Sequence, residues 1–375
     1  MRLLDRYLLR ELLFWLSLCL GGLLICVVAF SLFSELNKYQ EHKLLLSDVV
    51  ELYLVRIPEI LVFVLPIALL IALLYVLTNH ARHHELTAIR AAGVSLWRLC
   101  APYLIVGLFL SVALFFMNEH WVPDSAEKED HIWKRYQEKQ PGVAAKDVQI
   151  NLPFENRRDG HNWLVGAYDF RTDVMTKPQL DWKLPGGTKV LLFAERAERI
   201  NEVWTFYNVR EYEKVPGSEM RQILQTNLLA MPQFSETPGE FKREVKFANR
   251  LKQPGAQSTQ LTEIPVVEIL DYLNLHPDLG SMDKRWLRTQ LQGRLAIPWT
   301  CLVVVLIAIP FGAASGRRNI FVGVASSIGI CFAYFVLLKL GLALGTGGYL
   351  PAWLAAWLPN ACFGIAGFWM ILRVR

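Results

Sequence analysis

The stretch from Asn79 to Arg98 is the part of this chain whose residue types and spacing come closest to doing chemistry. His80, His83 and His84 crowd together there, and imidazoles at such spacing can hold a metal. No thiol or matched carboxylate set accompanies them, so they read as a solvated basic loop. Glu85, Leu86, Thr87, Ala88, Ile89, Arg90, Ala91, Ala92 and Gly93 follow as a short helix former. Glu85 suits the positive end of the helix dipole, Leu86 and Ile89 share one face, and Gly93 fits the left-handed position that closes a helix. Such a helix can dock into a groove on a partner or lie flat on a membrane, with Glu85, Leu86, Ile89, Arg90 and Gly93 as its working residues. Other chemistry is sparse. The chain contains no phosphate-binding G-x-x-x-x-G-K-[ST], no H-E-x-x-H, no G-x-S-x-G and no zinc-spaced cysteine pair. It reads as having no catalytic residue, no metal, no cofactor and no ATP site of its own.

The elements that must carry this segment are mostly membrane helices. The chain has 375 residues, 53% of them hydrophobic and only 19% charged, against about 25% charged in an ordinary soluble domain. Of its 73 Asp, Glu, Lys and Arg residues, 51 fall between Asn118 and Arg294. Uncharged apolar runs long enough to span roughly 30 Å of hydrocarbon occur at Leu12–Phe33, Ile60–Leu77, Leu99–Met117, Leu295–Ser315, Ile320–Leu338 and Pro351–Leu372. The first run outlasts a signal-peptide core, and no A-x-A site follows it, so it reads as a retained helix. Charged residues are missing from the centres of all six runs, which argues against a proton or sodium relay.

Orientation follows from the short connections. Arg2, Arg6, Arg10, Arg82, Arg90, Arg98, Arg317, Arg318, Arg373 and Arg375 fall on one side, against Lys38, Lys43, Arg56 and Lys339 on the other. The positive-inside rule then puts both termini in the cytoplasm and the charged domain across the membrane. The net charge of +5 gives no basic stripe for nucleic acid. All six cysteines lie in the membrane runs, so the exported domain has no disulfide framework and each thiol reads as a packing residue.

The exported domain reads as β-rich, a sandwich of jelly-roll type. Val148, Ile150 and Leu152 alternate with polar residues, as do Phe241, Val245 and Phe247 apart from Arg243, which breaks that second face, and period two predicts a strand for each. His161–Phe170, Lys189–Ile200, Val203–Tyr212 and Arg221–Met231 read as further strands between turns. Ile264–Leu273 reads as a helix capped by Thr262, and the basic run Lys284–Arg294 leads into the fourth span. The expected division is 1–117 for the first three spans with the docking helix inside 79–98, 118–257 for the β domain, 258–294 for a helical connector and 295–375 for the last three spans.

With these residues in view, the chain resembles the lipopolysaccharide export permeases, the paired F and G subunits of the Lpt transporter. Three stretches carry the resemblance: Leu4, Asp5, Arg6 and Tyr7 before the first span; Glu85, Leu86, Ala91 and Gly93 in the pattern E-L-x-x-x-x-A-x-G; and Arg294 shortly before Pro298. The three-plus-three arrangement around a β-rich domain extends the likeness over the whole chain. The resemblance implies a multi-pass protein of a Gram-negative inner membrane and a periplasmic jelly roll. It also implies a heterodimer with a second six-helix permease, a cytoplasmic ATPase dimer bound at the helix holding Glu85, and a periplasmic bridge protein. The subunit type stays open, with the Leu-Asp-Arg-Tyr opening leaning towards G.

That function suits the architecture. Moving one acyl chain of about a dozen carbons into water costs roughly 10 kcal/mol at 0.8 kcal/mol per methylene, so extraction needs a partner's energy and an apolar shelter. Lys38, Lys43, Arg56, Arg294 and Lys339 lie where lipid phosphates would meet the outer boundary, although Glu59 spoils a simple cationic ring and each cation could equally be an interfacial anchor. Val245 and Phe247 are expected to line a lipid route between the sheets. Another lipid or lipoprotein ABC exporter would also lack an ATP site, but its exported domain is expected after the first span. A membrane enzyme needs a nucleophile or metal that is not visible, and a non-transporting scaffold has no use for a docking helix.

Overall fold

The computed structural model describes residues 3–41, 44–137, 148–156, 159–184, 188–215, 220–252, 264–277, 279–313 and 320–373. It divides into two compact units. One comprises Met1–Tyr136, Thr259–Val266 and Arg285–Arg375, and the other Gln137–Ser258 and Val267–Lys284.

Among the described residues, six helices are long and apolar enough to cross a membrane. The first three lead from α1 (Leu3–Glu41) through α2 (Leu46–Arg82) and the short α3 (Glu85–Ala91) to α4 (Leu96–Phe116). A π-helical turn (Met117–Trp121) joins α4 to α5 (Val122–Gln137), so the third span is one long rod. The 39 residues of α1 reach about 58 Å at 1.5 Å per residue, well beyond the hydrocarbon. After the β-rich unit come α8 (Ser281–Ala296), a 3-10 turn (Ile297–Trp299) and α9 (Thr300–Ala313), which together form the fourth span. The last two spans are α10 (Ile320–Thr346) and α11 (Ala352–Arg373). The second and fourth spans are the most buried and the first is the least covered. Small residues allow the close approaches. A Cβ on Gly341 of α10 would sit 2.3 Å from the Ala355 carbonyl oxygen, and one on Gly367 of α11 would sit 2.8 Å from the Leu306 backbone.

The inserted unit is built on one continuous antiparallel sheet: β1 (Val148–Asn156), β2 (His161–Asp169), β3 (Val174–Lys183), β4 (Lys189–Phe193), β5 (Arg196–Ile200), β6 (Val203–Lys214) and β7 (Arg221–Met231). Neighbours follow chain order. β4 and β5 are two halves of a single position, since both pair with β3 on one side and β6 on the other. The Lys189–Ile200 stretch, expected as one strand, is broken at Ala194 and Glu195. Lys177 and Asn208, on the flanking strands at the same level, have φ of 50° and 52°. These bulges shift the inward face by one residue, from Met175 to Leu180 and from Phe206 to Val209. β3 was not foreseen, because Lys177 and Pro178 interrupt its alternation.

Phe241–Phe247, expected as a strand, belongs instead to helix α6 (Pro238–Lys252). A reciprocal capping box starts it. The Thr237 amide donates to Glu240 Oε2 at 2.7 Å, the Glu240 amide donates to Thr237 Oγ1 at 3.3 Å, and Pro238 fills the first position. The spacing of Phe241 and Val245 is then one helical turn, and both enter the core formed by the sheet. Phe241 lies among Phe154, Trp163, Tyr168 and Trp204, with ring centroids 4.4 to 5.9 Å away. The expected helix at Ile264–Leu273 begins after Pro265, as α7 (Val266–Leu275); its proposed cap, Thr262, lies outside the described residues.

Candidate functional site

α3 is tied to the ends of α1 and α2. Glu85 accepts from the Tyr7 hydroxyl at 3.1 Å and lies 2.7 Å from His80 Nδ1. On its other side His80 Nε2 is 3.3 Å from Glu11. His80 itself is fully buried, which corrects its reading as part of a solvated loop; His83 and His84 do stay exposed. The imidazole is drawn inward because two carboxylates and the Tyr7 ring, 5.6 Å from its own, offer it partners there. Arg98 pairs with Asp5 at 2.9 Å. The Leu-Asp-Arg-Tyr opening and the segment around Glu85 are therefore one bonded cluster, joined by Tyr7 to Glu85 and Asp5 to Arg98.

Leu86 is buried and Ile89 half-buried against the core of the helical unit. The face of α3 left to solvent carries Thr87, Ala88, Arg90 and Ala91. Gly93 has φ of 84° with open space around it, as a helix-closing glycine requires.

At the other ends of these helices stands a second cluster. Arg56 on α2 pairs with Glu35 of α1 at 2.9 Å and with Glu129 of α5, to which its Nε donates at 2.8 Å. Tyr39, Tyr53 and Trp133 pack around it, and the Lys38 ammonium sits 4.4 Å from the Trp133 ring centre. Lys38 is exposed, whereas Arg56 is largely buried and engaged by two carboxylates. Lys43 lies outside the described residues.

Arg294 is 2% exposed and donates to the Asn118 carbonyl oxygen. Asn118 lies in the π-helical turn and Arg294 just before the 3-10 turn that Pro298 forces, so two backbone irregularities meet across the helical unit. Nearby Asn360 donates to the Ala296 carbonyl oxygen at 2.7 Å and accepts from Tyr334, whose hydroxyl is 2.7 Å from Thr300. The sequence reading missed this polar chain, since none of its members is charged. Lys339 on α10 is exposed. Of the expected cations, Lys38 and Arg56 are brought together around Glu35 and Trp133, while Arg294 is placed separately.

In the β-rich unit, Val245 faces the sheet core and Phe247 is fully buried, stacked on Tyr272 of α7 at 4.1 Å. Among the described residues, Asp159, His161 and Glu236 form a group that could hold a metal.

The family described as lipopolysaccharide export system permease LptF/LptG matches residues 6–373, essentially the whole chain. Comparison with the curated proteins finds no match.

Proposed function

The chain belongs to the LptF/LptG family of lipopolysaccharide export system permeases, and from that membership we propose that it is one permease subunit of an ATP-driven transporter that extracts lipopolysaccharide from the inner membrane and passes it to a periplasmic bridge. A transporter component rather than an enzyme, and a multi-pass inner-membrane protein, is what the family and six spans together support. The partners in this reading are a cytoplasmic ATPase dimer and a second six-helix permease. The arginine-rich side, with both termini, faces the cytoplasm and the β-rich unit faces the periplasm.

One observation carries the coupling part. Glu85 binds both the start of α1, through Tyr7, and the end of α2, through His80, so a push on α3 reaches two spans directly. The exposed Arg90 face meets the ATPase, while Leu86 and Ile89 anchor α3 to its own helices. Lys38 and Lys339, both exposed residues, contact lipid phosphates in this reading, and Lys43 serves the same boundary. Arg56 and Arg294 shape that boundary from beneath. Val245 lines the acyl route when α6 withdraws from the sheet, and Phe247 joins it when α6 also parts from Tyr272 of α7.

The deciding experiment is purification from native membranes, followed by reconstitution with lipopolysaccharide in proteoliposomes. An ATPase subunit and a second six-helix chain should co-purify, and ATP hydrolysis should release lipopolysaccharide to an acceptor. Loss of both partners, or release that ignores ATP, would reduce the chain to a scaffold.

A further inference from the structure

The turn between β1 and β2 meets the segment that leaves β7, eighty residues further along, at a single polar point. Asp159, His161 and Glu236 each offer one ligand atom there, and the three atoms lie within 4.8 Å of one another. Asn156, itself buried, holds the carboxylates in place: its Nδ2 donates to Asp159 Oδ2 at 2.8 Å and to Glu236 Oε1 at 2.9 Å. His161 Nδ1 approaches the same Glu236 Oε1 at 2.8 Å. The Glu236 backbone is pinned from behind by Trp204 Nε1, which donates to its carbonyl oxygen at 2.7 Å.

What lifts this group above an ion pair is Glu236. The residue is 1% exposed, and its second oxygen, Oε2, is buried with no hydrogen-bond partner. A buried carboxylate oxygen left unmet is costly. Asp159 is exposed, so an ion can enter from solvent and keep water at its open positions.

We propose that Asp159, His161 and Glu236 bind one divalent transition-metal ion, zinc by preference. One imidazole nitrogen with two carboxylates is a nitrogen and oxygen set that zinc accepts, while calcium and magnesium favour oxygen alone. The ion would work as a strap. β1 pairs only with β2 and β7 only with β6 among the described strands, so these are the two ends of the sheet. Metal at this point ties one end to the chain leaving the other. It also fixes the start of α6, since the cap residue Thr237 follows Glu236 directly.

The test uses the full chain in detergent, stripped with EDTA and titrated with zinc chloride by calorimetry, with calcium chloride as the comparison. One zinc per chain, saturable, with a raised melting temperature and no matching calcium response, is the expected result. Asp159→Asn and His161→Ala should each weaken zinc binding at least tenfold, and Glu236→Gln should abolish the melting shift. Circular dichroism of the metal-free variants shows that each is folded. Absence of saturable zinc binding would overturn the site. Equal binding by wild type and all three folded variants would also overturn it, by placing the metal on other histidines.

Discussion

Glu85 bonds to two spans at once, to α1 through Tyr7 and to α2 through His80. Glu85→Arg would set a cation against His80 and remove the acceptor for Tyr7, so it should lower thermal stability as well as lipid export. With the carboxylate about a third exposed, the stability loss should be about 1 kcal/mol after solvent screening. Arg90→Glu, on the exposed face of α3, should cut export with an unchanged melting temperature; normal export by that variant would remove the docking role. Arg56→Ala would leave Glu35 and Glu129 facing each other around an empty centre. It should cost about 3 kcal/mol, and much of that should return when Glu129→Ala is added, as a double-mutant cycle in detergent melts would reveal. Glu211 on β6 is different, because burial and then the neighbouring Glu213 raise its pKa. A carboxyl raised on folding stabilises below its unfolded pKa of about 4.3 and loses that contribution as pH rises through the folded value. Glu211→Gln should therefore raise the melting temperature at pH 7 and leave it unchanged at pH 4.

Among the elements, α6 is where local pattern and packing compete. The alternation of Phe241, Val245 and Phe247 looks like a strand, yet the Thr237–Glu240 box and Pro238 start a helix three residues before Phe241. Thr237→Ala should cost about 1 kcal/mol through the lost cap. Phe241→Ala should cost about 3 to 5 kcal/mol by opening a cavity among four aromatic rings. If α6 withdraws to admit acyl chains, a photo-crosslinker at Val245 should capture lipopolysaccharide only while ATP is being hydrolysed. Capture that ignores ATP would mean the sheet is open at rest.

At the scale of the whole molecule, the claim at stake is sidedness. Lys339→Cys should react with a membrane-impermeant maleimide from the periplasmic face of intact spheroplasts, and Arg90→Cys only after the membrane is opened. The reverse pattern would invert the orientation and put α3 on the side away from any cytoplasmic ATPase. The six native cysteines lie in spanning helices, where Cys100 and Cys301 are buried and Cys26 and Cys362 are exposed on the helix surface. A background measurement on the unsubstituted chain is therefore part of the assay.

The six spans, the short helix at Glu85–Ala91 and the β character of the insert were legible from sequence, because each depends on apolar length or periodicity within one segment. Even α6 was written locally, in its capping box, although the alternation hid it. What only tertiary structure decided is which distant residues meet. Tyr7 finds Glu85, Arg56 finds Glu129, Arg294 finds the Asn118 carbonyl oxygen, and Asn156 finds Glu236. Each pair is separated by more than seventy positions, a distance over which periodicity carries no information. A polar side chain's partner is set by whichever segments packing brings within about 3 Å of it. That is why His80, solvent-bound by its local context, is buried between Glu11 and Glu85.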